Sequence, residues 1–184
     1  MKKPLLFIII VLSFICAAIF LKTDSDSTTW FYDNDLIYQN VSIGMSYEEL
    51  KNSCPLPRNE RTIDADSATI YFDDFNVYIY KDTVSFISIT NTLSEPGIFN
   101  IKIGDSLEEI KSKLPYELIE RNDYGNLIQN VTRKNYGELV NFYDNDRYLG
   151  STIAIYSSSG KTIILIDLDL NNLTAESINY QLTI

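Results

Sequence analysis

Ser42-Ile43-Gly44-Met45-Ser46-Tyr47-Glu48-Glu49-Leu50-Lys51-Asn52-Ser53-Cys54-Pro55 returns sixty residues later as Lys102-Ile103-Gly104-Asp105-Ser106-Leu107-Glu108-Glu109-Ile110-Lys111-Ser112-Lys113-Leu114-Pro115. Seven of the 14 aligned positions are identical, with no gap between the copies. Self-similarity at a fixed offset marks a repeated supersecondary unit. Each copy specifies a short helix. Ser46 and Ser106 are N-caps, and Glu49 and Glu109, three residues on, complete a capping box. Glu48 and Glu108 add negative charge in the first turn, where the helix dipole favours it. Tyr47, Leu50 and Cys54 in one copy, and Leu107, Ile110 and Leu114 in the other, form one apolar stripe. Pro55 and Pro115 stop the helices. Gly44 and Gly104 allow a tight turn out of the short strands Val41/Ile43 and Ile101/Ile103. Cys54 holds the slot of Leu114 and reads as a small buried hydrophobe rather than a nucleophile or ligand.

Beyond each helix the period changes from helical to two. Ala68–Phe72, Phe75–Tyr80 and Thr83–Thr90 read as strands of the first copy, with Lys81-Asp82 as a turn. In the second copy Glu138–Tyr143 precedes a turn around Asp144–Gly150, and Ser151–Ser157 and Lys161–Leu170 form a hairpin. Arg121–Gly137 is an insertion, read as a surface loop with binding as the sharper option. Ser94-Glu95-Pro96-Gly97 is a hinge.

The other end of the chain carries a different signal. Met1-Lys2-Lys3-Pro4 precedes an apolar run over 5–21, broken only by Ser13 and closed by Lys22. A basic n-region before an apolar segment is an export signal, and a run of this length is at the short end for a membrane-spanning helix. An uncleaved signal anchor is the leading reading. Cleavage near Cys16-Ala17-Ala18 and lipidation of Cys16 are the alternatives, the latter disfavoured because Ile15 precedes the cysteine. The expected localisation is the cell membrane, single-pass, with the C-terminal domain extracytoplasmic. Trp30, Phe31 and Tyr32 either sit at the membrane interface or open the folded domain.

The expected fold is therefore α+β: an N-terminal transmembrane helix, then two tandem units, each a short helix packed on antiparallel β-strands. The expected divisions are 1–22 (signal anchor or signal peptide), 23–40 (juxtamembrane spacer), 41–97 (first α/β repeat), 98–172 (second) and 173–184 (C-terminal tail).

Charge and composition narrow the function. After Lys22 the chain has twelve basic against 25 acidic residues, a formal −13. Such a surface repels phosphate backbones and anionic headgroups, so the expected partner is a protein with a basic surface, not a nucleic acid. The chain has no histidine, which removes Ser-His-Asp and Cys-His arrangements and His-containing metal sites. Cys54 is the lone cysteine beyond the apolar run, too few for a thiolate zinc cluster. Asp144-Asn145-Asp146 begins like a calcium loop, but Tyr148, Leu149 and Ile155 stand where further ligands and the glycine belong. Asp64-Ala65-Asp66 and Asp73-Asp74 read as a loop and a turn, and Asp167 and Asp169 as the wet face of a strand. No cofactor, metal or catalytic residue is expected.

The helix pattern, with its Pro stop and following antiparallel strands, resembles the SmpA/OmlA (BamE-like) family. It is also similar to the tandem β-lactamase inhibitor proteins and to the CAP-associated modules of bacterial surface proteins. The resemblance spans about residues 41–170. It implies helices on an antiparallel sheet in an envelope protein that works by binding other proteins, and it brings no catalytic residue with it. SmpA-like members are normally lipoproteins, from which Ile15 before Cys16 departs.

These readings converge on a non-catalytic extracytoplasmic protein-binding module tethered to the membrane, an inhibitor or immunity protein being the sharper variant. A structural envelope-assembly or wall-maintenance factor is the alternative, and a carboxylate-dependent hydrolase the remaining class. The candidate binding residues are Tyr71, Tyr78, Tyr80, Tyr143, Tyr148 and Tyr156. Tyrosine supplies large contact area at low entropic cost, although it also favours half-buried sheets.

Overall fold

The structure, a computed structural model, describes residues 30–54, 57–92, 95–123 and 137–183. Both capping boxes form. Ser46 Oγ accepts from the Glu49 N–H at 3.2 Å while the Glu49 carboxylate accepts from the Ser46 N–H at 2.9 Å, starting helix α1, Tyr47–Ser53. Ser106 and Glu109 exchange the same pair, at 3.3 and 2.8 Å, and start α2, Leu107–Lys113. A helix of two turns is marginal alone in water, so tertiary contacts must hold each in place.

Those contacts come from the strands. β1 (Ile37–Tyr38) and β2 (Val41–Ser42) form a small separate ladder. The main sheet contains β3 (Asn59–Thr62), β4 (Ser67–Tyr71), β5 (Phe75–Tyr80), β6 (Thr83–Ile89), β7 (Ile119–Asp123), β8 (Gly137–Asp144), β9 (Arg147–Tyr156), β10 (Thr162–Leu168) and β11 (Ala175–Leu182). Their spatial order is β3-β4-β5-β6-β11-β10-β9-β8-β7. All neighbours run antiparallel except β7 and β8. Each helix is seated on the start of one central strand. Gly44 N–H donates to Val84 C=O at 2.8 Å and Tyr47 N–H to Asp82 C=O at 3.0 Å. Gly104 N–H donates to Ala175 C=O and Leu107 N–H to Leu173 C=O, both at 2.9 Å. Gly44 and Gly104 reach these positions with φ of 88° and 92°, a region that costs a residue with Cβ but not glycine.

The seam between the halves is the β6–β11 ladder, which pairs Ile87 with Tyr180 and Ile89 with Ile178. These four side chains are buried in one continuous core that includes Leu50, Ile110, Ile153 and Ile164. The Tyr180 hydroxyl, pushed up to about 12 by burial, accepts from the Ile98 N–H at 2.8 Å. A side chain at Gly97 would run into that hydroxyl.

This arrangement corrects the expected fold class. A mixed nine-stranded sheet with two short helices on one core replaces two tandem helix-on-strand units. The reason is pairing: β6 and β11 would each leave an unpaired edge in a separate unit, and bonding them removes both. The transmembrane helix expected over 5–21 lies outside the described residues. Among the described residues no helix is long and apolar enough to cross a membrane, so nothing described supports the single-pass membrane localisation, and it is withdrawn.

Residues 173–184, read as a tail, contain the central strand β11. The expected spacer is folded from Trp30 onward, with Trp30, Phe31, Leu36 and Tyr38 in the core and Tyr32 exposed. Asp33 latches this segment to the β9–β10 turn: Ser159 Oγ donates to its carboxylate at 2.7 Å and Thr162 Oγ1 at 2.8 Å. Burial alone would raise the Asp33 carboxyl. Hydrogen bonds from Ser157, Ser159 and Thr162, with Lys161 nearby, outweigh it and hold the group below the ordinary aspartate range.

Two outcomes follow from this packing. Leu50→Ala and Ile110→Ala should each cost about 2–5 kcal/mol, and each variant should melt in one cooperative transition, measured by denaturant titration with two optical probes. Separate transitions for the two halves would contradict the single core. Because the Asp33 pKa is depressed, its contribution is present above the unfolded-state pKa and fades as pH falls through the lower folded value. Asp33→Asn should therefore lose stability at neutral pH and flatten the acid limb of a stability-against-pH curve.

Candidate functional site

Pleating divides the sheet into two faces, and register assigns each side chain to one. The rows Ile70–Val77–Ile87–Tyr180–Ile164–Ile155 and Phe75–Ile89–Ile178–Ile166–Ile153–Leu139 face the helices. The opposite face carries Thr69–Tyr78–Phe86–Gln181–Ile163–Tyr156 and Tyr71–Asn76–Ser88–Asn179–Leu165–Ala154. Its two halves differ. On β9 and β10, Ala154, Tyr156 and Ile163 are buried as a small second cluster with Leu165 packed against it. On β4, β5 and β6 the face is open, and Thr69, Tyr71, Asn76, Tyr78, Phe86 and Ser88 line a trough of about 400 Å³.

A polar chain borders the trough and crosses four strands. Ser88 Oγ on β6 donates to Asn179 Oδ1 on β11 at 2.7 Å. Asn179 Nδ2 donates to Asp167 Oδ2 on β10 at 3.1 Å, and Ser177 Oγ to the same oxygen at 2.6 Å. Thr152 Oγ1 on β9 donates to Asp167 Oδ1 at 2.8 Å. Among the described residues no lysine or arginine is paired with Asp167. The carboxylate is therefore held by neutral donors on a half-buried surface, an environment that suits an incoming cation or N–H donor.

The six candidate tyrosines separate into three places. Tyr71 and Tyr78 meet in the trough. Tyr80 stands one row along β5, 41% exposed, with Lys81 Nζ 5.1 Å from its ring centroid. Tyr156 shares the face but is buried in the second cluster. Tyr143 and Tyr148 pair with each other on the helix-bearing side, rings 5.7 Å apart, the Tyr148 hydroxyl 2.6 Å from Ser151 Oγ. The structure therefore does not gather all six into one surface.

Sequence reasoning missed Phe86, Asn76, Ser88 and Asn179. Their signal was alternation: Phe86 and Ser88 fall opposite Tyr78 and Asn76 once the β5–β6 bulge is allowed for. Asp169, read with Asp167, instead closes a turn by accepting from the Asn171 and Asn172 N–H groups. Among the described residues no cluster of three acidic or cysteine side chains could hold a metal.

No family model and no curated protein matches this chain. Among the solved structures that resemble it are two bacterial proteins. An extracellular protein containing an SCP domain from Bacillus anthracis is 10% identical with a TM-score of 0.45, over 76% of this chain and 43% of that one. A cysteine-rich secretory protein from Staphylococcus aureus is 11% identical with a TM-score of 0.48, over 84% of this chain and 49% of that one. The chain spans less than half the length of either. These neighbours lie on the CAP-related side of the sequence resemblance, and neither supports its SmpA/OmlA side. At this level the likeness carries no argument about what the chain does.

Proposed function

We propose that this chain is a secreted, non-catalytic protein-binding module that docks its partner on the open half of the sheet, over Tyr71, Tyr78 and Phe86. The observation that carries the reading is the trough: half-buried aromatic and amide side chains on a rigid sheet, beside a carboxylate with no cationic partner among the described residues. Aromatic anchors flanked by adaptable polar groups are the composition of protein interfaces, and rings held by a sheet lose little entropy on binding. The acidic balance after Lys22 favours a basic partner surface. The basic-then-apolar start of the chain supports secretion. Inhibition of a basic protein is the sharper form of the same reading.

A photo-crosslinking residue placed at Tyr78 in the full chain should yield one discrete protein adduct whose recovery falls as salt is raised. The same residue placed at Glu108, on the helix side, should yield none. Tyr71→Ser with Tyr78→Ser should abolish the adduct from a crosslinker at Phe86 while leaving the melting temperature within a few degrees. Equal adducts from positions 78 and 108, or none from either, would remove the open face from the function.

A further inference from the structure

A second surface, independent of the open face, lies at the sheet margin. β3 is an edge strand, and all four of its residues are exposed. The Ile63 N–H donates to Ser67 C=O, directly opposite in the continued register, at 2.9 Å. Antiparallel ladders alternate, so Asn59 and Arg61 turn their backbone groups toward β4. The N–H and C=O of Glu60 and Thr62 consequently point away from the sheet, toward the place of another strand; the Glu60 N–H donates to Asn59 Oδ1 at 2.8 Å, a local contact that an incoming carbonyl would replace. The side chains of these two residues share the core side with Ile70 and Ala68, their register partners. An added residue placed opposite either one points its side chain to that same side.

Two depressions wait there, with opposite chemistry. Toward the end of α1 is a cavity of about 240 Å³ floored by Leu50, Cys54, Pro57, Ile70 and Phe72. Cys54 is only half-buried, whereas Leu114, at the matching place after α2, is buried. Toward the β3–β4 turn is a depression of about 390 Å³ whose described lining includes the four carboxylates of Glu60, Asp64, Asp66 and Asp82 and one cation, Lys81. The Tyr47 hydroxyl, which donates to the Glu60 carboxylate, stands between the two.

We propose that the β3 edge takes an antiparallel strand from a partner protein, with an apolar side chain opposite Glu60 seated in the Cys54 cavity and a lysine or arginine opposite Thr62 over the acidic depression. Main-chain pairing supplies affinity and the alternate side chains supply specificity, as in strand addition generally. A second copy of this chain is the poorer occupant. Self-pairing centred on Glu60 or Arg61 sets like charges directly opposite, and centring on Thr62 sets Glu60 against Asp64, each of which is destabilising.

The test uses the full chain, isotopically labelled, and the blocked peptide Thr-Thr-Lys-Thr-Leu-Thr-Thr as probe. Titration should shift the Glu60 and Thr62 amides and slow their solvent exchange. Exchanging the peptide's lysine for glutamate, or N-methylating its backbone, should weaken binding by about tenfold or more. Cys54→Leu, which adds bulk to the wall of the cavity, should weaken it similarly while leaving the fold intact. Thr62→Pro deletes one outward N–H at an edge where proline is tolerated, and should do the same. Absence of shifts at Glu60 and Thr62, equal affinity of the lysine and glutamate peptides, or unchanged binding by both variants would overturn the proposal. None of these outcomes bears on the open face, since the probe engages only the margin.

Discussion

Everything in this molecule is organised by the antiparallel contact between β6 and β11. Two cross-strand pairs, Ile87 with Tyr180 and Ile89 with Ile178, place four large side chains at the centre of the core, none of them more than 2% exposed. Burying a side chain of this size stabilises by about 1.5–3 kcal/mol, and here the gain is shared by strands whose paired residues lie 89 to 95 positions apart in sequence. The starts of the same two strands hold the helices, through Val84 for α1 and Ala175 for α2. Loss of the seam would release both helices and open two sheet edges.

The seam also decides where function can sit. With both helices and the segment from Trp30 to Tyr38 gathered on one face, the other face carries, among the described residues, strand side chains. Over the second half that face is buried around Tyr156, and over the first half it stays open around Tyr71, Tyr78 and Phe86. The polar chain from Ser88 to Asp167 runs across the seam, so the wall of the trough is fixed by strands from both halves. The free margin at β3 is the distal consequence: a sheet grown outward from its centre ends in strands that nothing described covers on their outer side.

Legibility in the sequence followed how local each cause was. The helices could be read because Ser46 with Glu49 and Ser106 with Glu109 act within one turn. β5 could be read because Phe75, Val77 and Ile79 alternate against half-wet neighbours. β11 reads as a tail in the sequence because its outward residues, Ser177, Asn179 and Gln181, are polar. Their partners lie on β6 and β10, and no local pattern reports them. β3 escaped notice because an edge strand exposed on both sides has no apolar period to show. The tyrosines were identified by type but not by place. A bulge after Phe142 and the burial of the Tyr156 cluster put Tyr143, Tyr148 and Tyr156 elsewhere. The fold class went wrong at one step, since two similar helix signals say nothing about whether the strands that follow them join.

Native-state hydrogen exchange under increasing denaturant tests that joining most directly. If β6 and β11 are the seam of a single sheet, their slowest amides should exchange only through global unfolding, with one opening free energy common to both strands. Exchange of the β11 amides through a smaller opening that leaves β4, β5 and β6 protected would show two separable units and contradict the account.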